Sequence, residues 1–378
     1  MPVHKCRVCN HNFFKKPLAR YKNMPKAAQF LPDKGGLNKD EGVSLEVCQC
    51  SGCGLVQLSN EPVTYYRDVV RAAGISEEMK GFRKKEFGAF ARKFSLKGKK
   101  VIEVGCGGGE YLSIIRQFGV KAYGLEHSKE LVAYCLKNGL KVSQGFIGNS
   151  RRKLNHAPFD AFFMLNFLEH LPDPNAALRG IYDNLADDAV GLVEVPNFDM
   201  ILRKKLFSEF TTDHQLYFTA QTLNTALSIN GFEIIDSGAA WHEYIIFAIV
   251  RKKQKLEITH FYKYQAQLKN EIEKYIRRFK HGRVAIWGAG HQALAAISLL
   301  NLSGKIRYVI DSAPFKQGKY TPATHLPILS PEALRSDPVD AVIVMAAGYS
   351  DEVAGVMSCK FGKKIKISIL RDSGLEII

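Results

Sequence analysis

The chain has 378 residues, a formal net charge of +16, 46% hydrophobic residues and 24% charged residues. This composition excludes a wholly disordered chain, and the length allows two or three domains of roughly 100–200 residues each. The sequence shows neither a secretory leader pattern nor an apolar run approaching the ~20 residues of a membrane helix. We therefore expect a cytoplasmic location and no membrane partner.

The positive charge lies in short, scattered groups of lysine and arginine. Charge of this sign attracts nucleic acid, anionic lipid and small phosphorylated molecules in the same way. Because no sequence signature of a nucleic-acid-binding module accompanies it, we expect no nucleic-acid partner. A diphosphate-bearing substrate or a simple basic surface would equally account for the excess.

Two C-x-x-C pairs, Cys6 with Cys9 and Cys50 with Cys53, stand near the start of the chain. Four thiolates on two tight turns match the tetrahedral coordination of zinc. Cys48 lies two residues before Cys50 and competes with it as a ligand, although the spacing favours Cys50. A site filled by sulfur is closed and structural, so we predict a zinc-binding module over residues 1–62.

A short apolar strand leads into a glycine-dense turn in the sequence VIEVGCGGGEYL, which starts at Val101. A dinucleotide fingerprint needs a small residue at its third glycine position, and this chain has Glu110 there. The pattern instead resembles motif I of the class I S-adenosylmethionine (SAM) methyltransferases. The resemblance implies that Glu103 faces the methionine ammonium and that the backbone at Gly105 and Gly107 approaches the cofactor closely.

Further cofactor contacts are predicted at the ends of the next strands. Glu126 ends an apolar run about twenty residues after the first glycine, where this architecture places an acid for the ribose hydroxyls. His127 follows it directly, and Asn166 follows the strand at 160–165. Ligands of open α/β sheets bind at this carboxyl edge, so we assign Glu126, His127 and Asn166 to the SAM site.

The pattern over residues 63–252 predicts a methyltransferase domain of the α/β class with a helical lead-in. Strand-like runs at 101–105, 121–125, 160–165 and 190–195 alternate with helical stretches, which is typical of a doubly wound parallel sheet. Two long apolar strands near residues 232–252 then predict an antiparallel hairpin that closes this sheet.

The loop after the strand at 190–195 mixes acids, a histidine and aromatic residues. Methyl transfer requires the enzyme to align donor and acceptor and to remove a proton. We predict His214 as the base, titrating near ~6.5, with Asp213 or Glu209 orienting its ring. A loop histidine that caps a helix explains the same residues equally well.

The last third of the chain contains a second α/β pattern. A lysine-rich stretch over 253–281 predicts a connecting helix, and residues 282–378 predict a Rossmann-like domain with Gly288, Gly290 and an acid at Asp311. The motif alone would suit NAD and a sugar-nucleotide oxidoreductase. Only about ninety residues follow it, which is short for a dehydrogenase's catalytic half. We expect this unit to hold the nucleotide of the substrate.

In combination, the paired C-x-x-C motifs, EVGCGGG, WGAG and GKYTPATHLPILSPEAL resemble the sugar C-methyltransferases that act on nucleotide-linked deoxysugars. The resemblance spans nearly the whole chain. It implies an N-terminal zinc module, a central SAM domain and a C-terminal Rossmann-like domain. It also implies a nucleotide-diphosphate sugar as substrate and removal of a proton next to a keto group before methyl transfer.

The family's Y-x-E-H stretch corresponds here to Thr211-Thr212-Asp213-His214. The resemblance therefore implies His214 as general base and Asp213 as the shortened acid, whereas Thr211 replaces the tyrosine. Tyr66 and Tyr217 are the candidates that would compensate for the missing phenol.

The sequence leaves three alternatives to a C-methyltransferase: an O-methyltransferase on the same scaffold, the oxidoreductase, and a non-catalytic scaffold held by zinc. We expect a monomer or a small homo-oligomer.

Overall fold

The computed structural model describes residues 3–27, 31–67, 75–148 and 153–378. Part of the predicted helical lead-in, residues 68–74, lies outside the described residues. The chain divides into two compact units between Gln254 and Lys255. Among the described residues, no helix has both the length and the apolar character needed to cross a bilayer.

The N-terminal residues form a small antiparallel sheet. Its first strands pair in chain order and are β1 (Ala19–Met24), β2 (Val43–Gln49) and β3 (Val56–Leu58). The first cysteine pair precedes β1, and the second pair lies in the turn between β2 and β3. Along β2, buried Leu45 and Val47 follow the more exposed Ser44 and Glu46, as expected of a strand with one buried face.

Strands and helices alternate through the rest of the first unit. Its strands are β4 (Lys100–Val104), β5 (Lys121–Glu126), β6 (Val142–Gln144), β7 (Phe159–Leu165), β8 (Leu185–Pro196), β9 (Leu216–Tyr217), β10 (Phe232–Ala240) and β11 (Ile245–Lys252). Its helices are α1 (Glu77–Lys93), α2 (Glu110–Arg116), α3 (Lys129–Lys137), α4 (Pro174–Tyr182), α5 (Phe198–Arg203) and α6 (Ala220–Ile229).

The central sheet has the strand order β10-β11-β8-β7-β4-β5-β6. The strands from β8 to β6 are parallel, and the β10–β11 hairpin joins β8 in antiparallel orientation. The predicted doubly wound sheet and its closing hairpin are therefore confirmed. Along β7, Phe162 packs in the core on one face and Phe163 in the core on the other, both at most 2% exposed. Such two-sided burial is typical of parallel sheets covered by helices.

Strand β9 lies between β8 and β10 of the central sheet in the chain but pairs with the N-terminal sheet. Tyr217 pairs with Val56 and Leu216 pairs with Gln57 on β3. The residues directly after His214 are therefore part of the same sheet as the second cysteine turn. This pairing couples the N-terminal sheet to the loop that contains the predicted base.

A buried ion pair joins α1 to the central sheet. The Arg83 side chain is fully buried, and its Nη1 donates to Glu194 Oε1 on β8 at 2.6 Å and to Glu86 Oε2 at 2.5 Å. Its guanidinium also lies 4.7 Å from the centre of the Tyr111 ring. Burial, together with the nearby charge of Glu194, raises the pKa of Glu86 to about 8. Arg83 therefore neutralises mainly Glu194 at neutral pH.

The second unit is a separate α/β fold with the strand order β14-β13-β12-β15-β16-β17. Its strands are β12 (Val284–Trp287), β13 (Val309–Ile310), β14 (Ile328–Leu329), β15 (Ala341–Val344), β16 (Lys366–Arg371) and β17 (Gly374–Ile377). Its helices are α7 (Thr259–Ile276), α8 (His291–Leu299), α9 (Ala333–Ser336) and α10 (Ser350–Phe361). The pairs are parallel except β16–β17.

Helix α7 occupies most of the stretch for which the sequence predicts a connecting helix. Leu268, Ile272 and Tyr275 on one side of α7 are buried in the core of the second unit. Residues at this spacing share one face of a helix. Helix α7 is thus an integral part of that unit.

Candidate active site

A cavity of about 830 Å³ opens at the carboxyl ends of β4, β5, β7 and β8. This edge is where open α/β sheets bind ligands, and the volume lies within the ~300–1,000 Å³ usual for small-molecule sites. The cavity brings the glycine turn together with the loop that contains Asp213 and His214. Its polar and aromatic lining includes Tyr66, Arg67, Glu126, His127, Asn166, Glu169, His170, Asp213, His214 and Tyr244.

The glycine turn can be formed only by residues without a side chain at two positions. Gly105 has a φ of +71°, and a Cβ there would lie 2.5 Å from the Phe167 ring. Gly109 has a φ of +81°, and its Cβ would lie 2.3 Å from Leu140. Gly107 also has a positive φ, +54°, but open space lies beside it. The backbone at Gly107 is therefore accessible to a ligand in the cavity.

Glu126 fixes the glycine turn to the end of β5. Its carboxylate accepts hydrogen bonds from the backbone N–H groups of Gly107 at 2.9 Å, His127 at 2.7 Å and Ser128 at 2.9 Å. Each carboxylate oxygen has two lone-pair sites, so Oε2 keeps capacity for a further donor such as a ribose hydroxyl. Glu126 and His127 both line the cavity.

Asn166 offers a free acceptor to a cofactor. Its backbone is left-handed, with a φ of +48°, and its N–H donates to the Glu194 carbonyl at 2.9 Å. Its Oδ1 is buried and has no hydrogen-bond partner among the described residues. A buried amide oxygen in a cavity suits a ligand that donates, such as an ammonium group.

Glu103 has a different position from the other predicted cofactor residues. It lies within β4, is 3% exposed and does not line the cavity. Glu103 therefore adds no surface to the cavity, whereas Gly107, Glu126 and Asn166 line it.

His214 lies in a buried pair of imidazole rings. The rings of His170 and His214 are 4.8 Å apart and nearly perpendicular. Burial, and next the neighbouring His170, lowers the pKa of His214 to about 3. The expectation that this histidine titrates near its ordinary value was wrong, because the sequence gives no measure of burial. His214 is neutral at physiological pH, and its ring keeps an unprotonated nitrogen.

His170 is held in one orientation by the same loop. Its Nδ1 lies 2.9 Å from the Asp213 carbonyl oxygen. Burial lowers the pKa of His170, so its ring is neutral. Because a carbonyl only accepts, the proton of the neutral ring is assigned to Nδ1 and the lone pair to Nε2.

The acids that were expected to orient His214 are engaged elsewhere. The Asp213 carboxylate accepts a hydrogen bond from Tyr65 Oη at 2.6 Å. Glu209 accepts a longer one, 3.4 Å, from Tyr244 Oη. Asp213 thus connects the segment before α1 to the loop of His214 and lines the cavity itself.

Of the two candidate tyrosines, only Tyr66 lines the cavity. Its ring packs edge-on against Phe146, and its hydroxyl accepts from Arg67 Nε at 3.0 Å. Tyr217 is 4% exposed, and its hydroxyl accepts from the Thr211 N–H at 3.0 Å. Tyr217 therefore stabilises the loop through its contact with Thr211, outside the cavity.

Glu169 is a site residue that the sequence analysis missed. It is 1% exposed, lines the cavity beside His170, and has an Oε2 without a hydrogen-bond partner in the described part of the chain. Burial raises its pKa to about 8. The available signal was an acid next to a histidine at the end of a predicted strand, and only the tertiary structure shows that it is buried.

The cysteine turns bring four thiols together. The Sγ atoms of Cys6 and Cys53 are 3.7 Å apart, those of Cys9 and Cys50 are 3.4 Å apart, and all four lie within 4.8 Å of one another. Cys48 is excluded from the group and its thiol points to Glu46 Oε1 at 3.7 Å.

Backbone N–H groups point at the sulfur atoms of this cluster. Val8 N lies 3.4 Å from Cys6 Sγ, and Gly52 N lies 3.3 Å from Cys50 Sγ. Such donors stabilise thiolates in metal sites. The residues present therefore fit a tetrahedral zinc ion.

Arg7, within the first cysteine turn, contacts both segments that form the site. Its Nη1 donates to the Pro172 carbonyl at 3.0 Å, and its Nη2 donates to Gln215 Oε1 at 3.1 Å. Pro172 follows His170 closely, and Gln215 follows His214. Arg7 thus holds the two segments next to His170 and His214 in place, although it does not itself line the cavity.

The acid that follows the glycine motif of the second unit is bound to neighbouring groups of the protein. The Asp311 carboxylate accepts from the backbone N–H of Ala289 and of Ala313 and from Lys316 Nζ, each at 2.9 Å. A Cβ at Gly288 would lie 2.5 Å from the Met345 carbonyl oxygen. The acid that an NAD site would use for the ribose is therefore ion-paired with Lys316 in this structure.

Comparison with known proteins agrees with this architecture. The family described as "Methyltransferase domain" matches residues 77–237, and the "C-methyltransferase C-terminal domain" matches residues 251–366. The C-methyltransferase NovU of Streptomyces niveus is 25% identical over 388 aligned positions, which cover 93% of this chain and 91% of that protein.

More local similarities are also found. A ubiquinone biosynthesis O-methyltransferase of Stutzerimonas stutzeri is 34% identical over 91 residues, covering 22% of this chain and 39% of that enzyme. A crystal structure of a SAM-dependent methyltransferase from Clostridium acetobutylicum is 12% identical with a TM-score of 0.39, covering 50% of this chain and 96% of that one. From the two family matches and the near full-length relative, the chain is a SAM-dependent methyltransferase that carries the C-methyltransferase C-terminal domain.

Proposed function

We propose that this enzyme methylates a carbon next to the keto group of a nucleotide-linked sugar, with His214 as general base. The observation that supports the proposal is the single cavity in which the backbone at Gly107 and the ring of His214 line the same space. A donor on the glycine turn and an acceptor beside His214 would therefore meet in one desolvated site. SAM supplies an electrophilic methyl group on sulfur.

The protein's own part in the reaction is positioning and proton transfer. A keto group acidifies the neighbouring C–H bond, so a neutral imidazole can take that proton if it is held against it. The low pKa of the free His214 ring makes it a weak base. A negative charge that develops on the acceptor oxygen beside the ring would favour the protonated imidazole and raise its basicity.

We further propose one structural zinc ion held by Cys6, Cys9, Cys50 and Cys53. Its donors are all sulfur, which leaves no open position for a reacting water. Because β9 pairs with β3 next to the second turn, zinc would stabilise the loop of His214 from outside the cavity. Reduced thiols of this kind fit a cytoplasmic location.

The methylated atom can be identified directly. SAM with a ¹³C-labelled methyl group is incubated with the enzyme and a panel of nucleoside-diphosphate 4-keto sugars, and NMR correlation spectra of the product show whether the label is bonded to carbon or oxygen. A label on carbon supports the proposal. A label on oxygen would establish the O-methyltransferase alternative.

The role of His214 needs a matched control. His214→Ala is expected to lower turnover by about 10²–10⁴-fold, the usual contribution of a general base, with SAM affinity unchanged. His242→Ala is the control, because His242 is exposed and does not line the cavity. Unchanged turnover in His214→Ala would remove this histidine from the mechanism.

The oxidoreductase alternative is tested by calorimetry. Titration with SAM is expected to give saturable heat, and titration with NADH is expected to give none, because the Asp311 carboxylate, unlike that of Glu126, is held in an ion pair by Lys316 Nζ at 2.9 Å. Saturable heat with NADH alone would reverse the assignment.

A further inference from the structure

Glu169 is the buried acid of the cavity to which the mechanism above gives no role. It lies in the short helical turn Leu168–His170 after β7, and its own carbonyl accepts from the backbone N–H of Gln215 at 2.8 Å. Its Oε1 lies 3.8 Å from His170 Nε2, whereas Oε2 has no hydrogen-bond partner among the described residues. A buried and unsatisfied carboxyl oxygen in a binding cavity indicates a ligand that completes it.

The surroundings of Glu169 favour its neutral form. The titratable groups nearby are His170 on its own segment, Asp213 and His214 on the loop before β9, Tyr244 on the hairpin turn and Glu194 on β8. His170 and His214 are neutral at pH 7 and add no positive charge. Burial, and less strongly the charge of Glu194, raises the pKa of Glu169 to about 8. Glu169 therefore has an O–H to donate at neutral pH.

Glu169 also has the right distance from the base. One carboxylate oxygen of Glu169 and one ring nitrogen each of His170 and His214 lie within 4.8 Å of one another. In a ketone, the acidic C–H and the carbonyl oxygen are on adjacent carbons. A base and an oxygen-binding donor that act on the same ketone must therefore be neighbours, as His214 and Glu169 are.

We infer that Glu169 donates a hydrogen bond to the keto oxygen of the acceptor and stabilises the enolate that His214 generates, an inference that rests on the proposed function. The C–H bond breaks and its proton passes to the His214 ring. The electron pair forms the C=C bond and moves the carbonyl π electrons onto the oxygen bound by Glu169. The enolate carbon then bonds to the methyl group as the methyl–sulfur bond breaks, and sulfur keeps that electron pair.

A neutral carboxylic acid is well suited to this role. It contributes a short, strong hydrogen bond to a developing oxyanion without introducing a negative charge. An ionised Glu169 would repel the enolate. Enolisation is therefore expected to slow as pH rises through about 8.

The test follows enolisation separately from methyl transfer. The full-length enzyme is saturated with S-adenosylhomocysteine and incubated in D₂O with the nucleoside-diphosphate 4-keto sugar that turns over best. Exchange of the proton next to the ketone for deuterium is followed by NMR. Glu169→Ala is expected to slow this exchange by about 10²–10³-fold, the usual loss of one oxyanion donor, with unchanged affinity for S-adenosylhomocysteine.

The isosteric variant separates a donor role from a structural one. Glu169→Gln keeps an N–H donor, so exchange is expected to remain within about tenfold of the wild-type rate. The wild type should lose activity as pH rises through about 8 because the raised pKa of Glu169 is passed there. The glutamine variant should lack this decrease. Glu233→Gln, an exposed residue on β10, is the matched control and should follow the wild type.

Three results would overturn the inference. The first is wild-type exchange in Glu169→Ala, and the second is an unchanged alkaline decrease in Glu169→Gln. The third is a second metal ion per chain in elemental analysis, beyond the one held by the cysteines, that Glu169→Ala loses and Glu233→Gln keeps, which would make Glu169 a metal ligand. If the wild type methylates oxygen and exchanges no C–H proton, the proposed function fails and this inference fails with it.

Discussion

Removing the buried cation between α1 and the central sheet should strongly destabilise the first unit. Arg83→Met retains the unbranched apolar stem of the side chain but removes the guanidinium. Glu194, which is 0% exposed, then loses its partner at 2.6 Å. Removing one member of a buried ion pair costs about 3–5 kcal/mol. Glu86 adds little to this at pH 7, because its raised pKa of about 8 keeps it mostly neutral.

The change is measured by urea unfolding followed by far-UV circular dichroism, using the transition of the first unit. Arg92→Met is the control on the same helix, because Arg92 is exposed and surface changes usually stay within about 0.5 kcal/mol. The double variant Arg83→Met with Glu194→Gln removes the uncompensated charge and should recover most of the lost stability. A loss below about 1 kcal/mol in the single variant, or no recovery in the double variant, would refute the reasoning.

Three further predictions concern the metal, the base and the cofactor. Cys53→Ser should lose one zinc per chain by elemental analysis, and methyl transfer should fall because β9 links the cysteine sheet to the loop of His214. Cys48→Ser should keep both its zinc and its methyl-transfer activity. Equal zinc content in the two variants would contradict the cluster. The kcat/KM of the wild type should not fall between pH 7 and pH 5, because the lowered pKa of His214, about 3, keeps the base unprotonated there; an acid limb centred near ~6.5 would contradict it. Asn166→Ala should weaken SAM binding by at least roughly tenfold in calorimetry, the value of one hydrogen bond to a charged group, and unchanged affinity would exclude the Asn166 amide from the site.

Stability should also depend on pH through Glu86. Its folded-state pKa is raised to about 8, so between the ordinary glutamate value and pH 8 the folded state holds a proton that the unfolded chain has lost. The free energy of unfolding therefore decreases as pH rises through this window. Glu86→Gln should make that decrease smaller in urea unfolding at pH 5 and pH 8, and the raised pKa of buried Glu169 accounts for the decrease that remains; an unchanged slope would show that Glu86 is ionised in the folded state.

The sequence was informative wherever a local pattern has one structural solution. The glycines after β4 are required by positive φ values and by close packing at Gly105 and Gly109. The alternation of apolar strands and helical stretches predicted the central sheet, because continuous burial on both faces needs long apolar runs. The two C-x-x-C turns predicted a cluster that the fold then assembled without Cys48.

The environment of each side chain was not readable from the sequence. Glu169 and Arg83 look like ordinary charged residues in the chain, yet both are almost completely buried. The pKa of His214 depends on burial and on His170, which is more than forty residues away along the chain. Tyr217 looked like a candidate for the cavity but faces Thr211 instead.

By itself, therefore, the sequence determined the class of fold, the glycine turn after β4 and which four cysteines cluster, since these depend on backbone geometry and short-range spacing. Tertiary structure decided which acids are neutral, which tyrosine lines the cavity, and that β9 joins the cysteine sheet to the loop of His214. The physical reason is that desolvation, charge interactions and strand pairing act between residues far apart in the chain. They exist only once the units are folded.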